Sequence, residues 1–194
     1  LPADADINDY FGVEGMPVRA VDVKPLLVPG FTPSVVEETD AFIIQVDDKG
    51  VLTRNVKDGV SMPEHLEYPI KGPEDLPWLR ERLAWDAPGR VADDWLEKAR
   101  RQREEDALLF SNGGMYFGFL NEHMGTDTLL FAYYDHPEFI KEVNEMLCQL
   151  CENTLSLVLP HLKLDRIGYH EDMAYKNGSM ISPDLFRDFM IPYY

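Results

Sequence analysis

The strongest hydrophobic period in the chain lies between Asp135 and Pro160. Phe139, Ile140, Val143, Met146, Leu147, Leu150, Thr154, Leu155 and Val158 recur at helical spacing there, predicting a helix of roughly 23 residues, about 34 Å long. Asp135 with Glu138 reads as a capping box, Pro137 suits the first turn and Pro160 ends the helix. Two other stretches read as strands. Ala107 to Ser111 is a continuous apolar run into Asn112-Gly113-Gly114, the pattern of a buried parallel strand opening into a loop. Leu164 to His170 is a second short strand, ending in Glu171-Asp172 and followed by a loop through Gly178.

Between and around these, Met115 to Met124 reads as an aromatic-rich helix. A last helix is capped by Ser182, takes Pro183 in its first turn and stops at Pro192. Upstream, Asp40 to Val46 and Val51 to Val56 form an acidic β-hairpin about the turn Asp47-Asp48-Lys49-Gly50. Val21 to Pro29 holds a short buried strand interrupted by Pro25, and Ser61 to Gly72 reads as loop. Glu74 to Leu83 and Asp93 to Asp106 are helical, the second a solvated helix with a narrow stripe of Trp95, Leu96 and Ala99. Strands alternating with helices predict an α/β fold with parallel strands and crossover helices.

Composition narrows the function. Over 194 residues, 45% hydrophobic and 27% charged residues are ordinary globular values, which sets aside disordered and fibrous classes. Eighteen Lys and Arg face 35 Asp and Glu, a net charge of −17. That balance argues against nucleic acid and against an anionic membrane surface as partners. No apolar run is long enough to span a bilayer. Two cysteines make no disulfide framework, so the expected compartment is a reducing cytoplasm. The opening at Leu1 and the close at Ile191-Pro192-Tyr193-Tyr194 read as a portion of a longer protein.

Parallel α/β folds bind ligands beyond the carboxyl ends of their strands. Two such ends are visible: Asn112-Gly113-Gly114, and His170-Glu171-Asp172 with Tyr175 and Lys176 behind. Gly113 and Gly114 allow close approach to the backbone, and Asn112 can donate and accept hydrogen bonds. His170 and Asp172, two apart on an extended chain, point the same way and can share a proton or a substrate polar group. The alternative is that the acids satisfy backbone amides and cap the loop. Cys148 and Cys151 are a C-x-x-C inside the long helix, with no second cysteine pair and no Gly or Pro between them; the reading is helix packing, with no metal and no mutual disulfide.

The segment from Ser179 through Ser182-Pro183 and Phe186 to Pro192-Tyr193, preceded by the acidic strand end, resembles the uroporphyrinogen decarboxylase superfamily. The similarity runs from about Ala107 to Tyr194, and the "L-P-x-x-x-D-x-x-x-Y-F-G" opening with the hairpin is similar to the methyltransferase branch. The resemblance implies part of a TIM (β/α)8 barrel, with 1–194 as one incomplete domain and 35–60 as a hairpin insertion. It implies an enzyme moving a methyl group between a small substrate or thiol and a corrinoid, supplied by a corrinoid-carrying partner protein. Asp172 and His170 would then be catalytic, and Asn112, Gly113, Gly114, Asn121, Glu171 and Tyr175 would bind substrate.

Departures from the decarboxylase pattern favour that branch. Asn121 stands where decarboxylases place a substrate-binding Tyr, Asp172 stands where Ser follows the strand-end Glu, and their Arg-rich N-terminal motif is missing from the sequence. A substrate with eight carboxylates would be repelled by an added Asp. The His-x-Cys zinc motif of the methyltransferases is not in the sequence, so zinc ligands are expected only beyond Tyr194, and no cofactor within it. The alternatives are a true decarboxylase of porphyrin biosynthesis and a non-catalytic barrel that docks a basic partner.

Overall fold

The computed structural model describes residues 7–12, 15, 17–58 and 62–194. The first half of the Leu1-to-Gly12 opening motif, residues 1–6, and Gly59 to Ser61 at the end of the hairpin segment, lie outside the described residues. The elements are α1 (Ile7–Phe11), β1 (Val18–Ala20), β2 (Ser34–Glu38), β3 (Phe42–Val46), β4 (Leu52–Val56) and β5 (Glu64–Glu67). These are followed by α2 (Leu76–Leu83), α3 (Trp95–Glu104), β6 (Leu108–Gly114), α4 (Tyr116–Met124), α5 (Thr126–Asp135) and α6 (Pro137–Val158). The chain closes with β7 (Arg166–Tyr169), the short β8 (Ala174–Tyr175) and β9 (Gly178–Ser179), and α7 (Pro183–Phe189). The fold is mixed α/β. Among the described residues no helix is long and apolar enough to cross a membrane.

A three-stranded parallel sheet in the order β1-β6-β7 organises the molecule. The two expected strands are thus parallel neighbours in one sheet, with α6 and α3 packed on β6. Within β6, Leu109, Ser111 and Gly113 are buried and Asn112 is exposed. The long helix follows its period. Phe139, Ile140, Val143, Leu147, Leu150, Thr154 and Val158 are all buried, the apolar ones among them mostly against α2, α4, α5 and α7. Val158 instead joins a smaller cluster with Val21, Val23 and Trp95.

Arg90 lies inside the protein at 1% exposure. Its guanidinium donates to the carbonyls of Ala84 (2.8 Å), Lys24 (2.8 Å), Leu26 (2.7 Å) and Arg82 (2.7 Å). The segment after β1 and the end of α2 are tied together through this one side chain. Burial pushes its pKa down from the ordinary arginine value.

Several elements differ from the sequence-based expectation. The strand sought in Val21 to Pro29 is Val18–Ala20, because parallel pairing with Leu108 to Phe110 begins earlier. Val21 still donates its N–H to Phe110 O, and the chain then turns away as Lys24 N–H bonds to Arg90 O. The hairpin grows into a four-stranded antiparallel sheet, β2-β3-β4-β5. Its fourth strand, Glu64–Glu67, falls in the expected loop, where exposure of all four residues leaves no apolar alternation to read. Helix α5 occupies a gap between expected helices, and Asp135 is its last residue, not a cap. His136 is the N-cap of α6 and makes no side-chain cap bond, while Pro137 does take the first turn. The loop through Gly178 contains the β8–β9 hairpin. Ser182 caps α7 as expected, accepting from Leu185 N–H at 3.2 Å.

Candidate functional site

The pairing of β6 with β7 sets Phe110 opposite Arg166 and Asn112 opposite Gly168, then slips so that Gly114 faces Tyr169. His170 N–H continues the ladder to Gly114 O at 3.4 Å. The two strand ends singled out in the sequence are therefore brought side by side. Asn112 to Gly114 belong to the strand itself rather than to a loop.

The two glycines serve internal packing. A Cβ on Gly113 would lie 2.5 Å from the Tyr169 ring and 2.7 Å from Ile167 Cγ2, so this position admits no side chain while Tyr169 lies across it. Gly114 has φ +144°, a left-handed conformation that favours glycine, and a Cβ there would sit 3.0 Å from the Tyr116 ring. The close approach expected for a ligand is thus taken by aromatic side chains of this chain.

The three residues after β7 divide their work. Glu171 turns inward, and its carboxylate accepts from Tyr116 N–H (2.7 Å) and Gly118 N–H (2.8 Å), two amides of the first turn of α4. Tyr194 Oη–H donates to the same carboxylate at 3.1 Å. A carboxylate at a helix amino terminus satisfies donors that the helix leaves open and complements its dipole. Burial, and next the Glu171 charge, raise the pKa values of the Tyr133 and Tyr194 phenols. Gly118 makes the fit possible, since a Cβ on it would meet His170 O at 2.8 Å. The capping role left open for the acids belongs to Glu171.

His170 and Asp172 are exposed. Among the described residues, the Asp172 carboxylate takes part in no hydrogen bond or ion pair, and no bond joins it to Asn112. Asn112 also borders a small, mostly apolar cavity with Gly114, Met115, Leu147, Leu150 and Cys151. Two residues lie apart from this grouping. Asn121 is in the last part of α4, where its Oδ1 accepts from Thr126 Oγ1 at 2.7 Å and links α4 to α5. Tyr175, with Lys176 after it, is on the exposed β8–β9 hairpin. The supporting residues Tyr116, Gly118 and Tyr194 escaped the sequence reading. One signal was present: Gly118, a glycine inside a helix that it weakens by roughly 1 kcal/mol relative to alanine, marks a close approach.

Cys148 and Cys151 are free, half-buried thiols. The Cys148 thiol faces Tyr193 O at 3.8 Å. Burial first, then the neighbouring Cys148 and Glu152, push the Cys151 thiol up to about 11. The thiolate fraction at pH 8 falls accordingly, so iodoacetamide should alkylate Cys151 about 100-fold more slowly than a cysteine of ordinary pKa. Peptide mass spectrometry reads this directly; labelling as fast as in the urea-unfolded chain would contradict the burial. Among the described residues no group of three or more His, Cys, Asp or Glu is arranged to hold a metal ion.

Compared with protein-family models, curated proteins and solved structures, the chain has no match.

Proposed function

We propose that the chain is part of a cytoplasmic TIM-barrel enzyme of the uroporphyrinogen decarboxylase type that transfers a methyl group between a small substrate or thiol and a corrinoid. The corrinoid is a substrate presented by a partner protein. One observation carries the reading: at the shared carboxyl end of two parallel strands, Glu171 is consumed by the cap of α4 while Asp172 stays exposed with no hydrogen bond or ion pair among the described residues. An unspent carboxylate at that position can orient a substrate or stabilise positive charge that develops as a methyl group moves. His170, beside it, can hold or deliver a proton, and Asn112 on the adjacent strand can hydrogen-bond a neutral polar group.

Charge placement ranks the decarboxylase second. The strand ends offer Asn112, His170, Glu171 and Asp172, whereas Arg166 lies at the opposite end of β7 with its guanidinium 5.1 Å from the Phe110 ring centre. An octa-carboxylate substrate needs cations at the mouth, not acids.

The test is made on the complete protein, offered methylcobalamin with a thiol, and separately uroporphyrinogen. Formation of the methyl thioether is the expected result. Release of carbon dioxide from uroporphyrinogen without methyl transfer would show the decarboxylase reading to be correct. Inactivity in both assays would favour the non-catalytic partner subunit.

A further inference from the structure

We propose that Glu171 is a positioning residue, whose carboxylate latches the loop after β7 onto the amino end of α4 and thereby fixes where His170 and Asp172 stand. The inference rests on the reading of the β6–β7 end as a substrate site. Its basis is the convergence of independent contacts on two consecutive residues. His170 N–H is held by Gly114 O, His170 O lies against the bare Cα of Gly118, and the Glu171 carboxylate takes Tyr116 N–H, Gly118 N–H and Tyr194 Oη–H.

The far side of this contact is rigid. Tyr116, Phe117, Phe119 and Leu120 of α4 are each 0% exposed, and Tyr116 Oη–H is further bonded to Tyr193 O at 2.8 Å. A loop tied to such a helix inherits its fixed position. His170 and Asp172 flank the tie, exposed on either side of it. Two side chains free to meet a ligand are thus carried by a backbone that is not free to move. Binding groups held in advance lose less entropy when a ligand arrives.

The test uses the full chain and needs no ligand. In Glu171→Ala, hydrogen exchange at the Tyr116 and Gly118 amides should rise about 10-fold or more, the effect of losing a charge-assisted bond. Exchange at Ile140 and Val143 should stay at its original rate. The NMR signal of the His170 imidazole should shift and broaden. Glu171→Gln keeps an acceptor oxygen for one of the two amides but presents an NH2 donor to the other, and should restore only part of both properties. Gly118→Ala keeps the carboxylate but forces His170 O aside, and should displace the same imidazole signal; these two variants carry the test if Glu171→Ala does not fold.

An unmoved His170 signal in a folded Glu171→Ala or in Gly118→Ala overturns the proposal, and uniform acceleration of every amide would then leave Glu171 as a stabilising cap alone. The two readings fail separately. A displaced His170 signal with undiminished methyl transfer by the same variant of the complete protein keeps the positioning role and removes the substrate site.

Discussion

Replacing Arg90 by alanine should lower the free energy of unfolding by about 4 kcal/mol, the largest loss expected from any single change of a polar residue here. Four main-chain carbonyls, those of Lys24, Leu26, Arg82 and Ala84, accept from this side chain, and those of Arg82 and Ala84 accept in addition from Val28 N–H and Ala87 N–H. Truncation strips them of these donors in a place that water reaches poorly, and leaves a cavity the size of a guanidinium. Lysine should recover little, because one ammonium does not span the fork that reaches four acceptors. Urea denaturation of Arg90→Ala and Arg90→Lys beside the unaltered chain measures both. A loss below about 1 kcal/mol for alanine would show that water takes over the carbonyls.

The second large effect belongs to function and not to stability. Asp172→Asn in the complete protein preserves shape and removes one charge. If Asp172 orients substrate or meets developing positive charge, kcat/KM should fall about 100-fold, equal to roughly 2.7 kcal/mol of transition-state stabilisation. The melting temperature should hardly move, since Asp172 is exposed and neither caps a helix nor pairs with a cation among the described residues. In a decarboxylase with a polyanionic substrate the same change should relieve repulsion and tighten binding, so substrate affinity reports the two chemistries with opposite sign. A variant that keeps turnover and affinity but melts lower would make Asp172 a structural residue. Parallel measurement of Glu171→Ala separates the neighbours, because that change should lower stability through the loss of the α4 cap.

Where the amino-acid pattern was informative, burial was one-sided or complete. Strand β6 and helix α6 were legible because Leu109 is enclosed and because the α6 core positions keep one face of the helix inside. Strand β1 was not legible, since all three of its residues are exposed and only pairing with a strand some ninety positions later makes it a strand. Helix α5 hid for a related reason: it buries Leu129, Ala132 and Tyr133 but exposes Phe131 and Tyr134, so apolar residues mark both faces. At the site, the nearness of Asn112 to His170 followed from the rule that parallel strands share their carboxyl ends. The division of labour between Glu171 and Asp172 did not follow. It depends on amides more than fifty residues upstream, and two adjacent carboxylates look alike until the helix they face is in place.

The four-stranded sheet has a consequence for the protein in concentrated solution. Its outer strands, β2 and β5, are exposed at every residue and carry Glu37, Glu38, Glu64 and Glu67. Irregular steps in the pairing also interrupt β2 between Val35 and Glu37, and the β4–β5 ladder between Leu52 and Thr53. Open strand edges template aggregation when they are flat and neutral; here the edges are bulged and lined with hydrated ion pairs, Glu38 with Lys57, Glu64 with Arg54 and Glu67 with Lys71, which a second copy would have to disrupt before its backbone could pair. That protection is electrostatic over a range of only about 8 Å at physiological ionic strength. High salt would weaken it and leave the bulges as the remaining barrier to edge pairing.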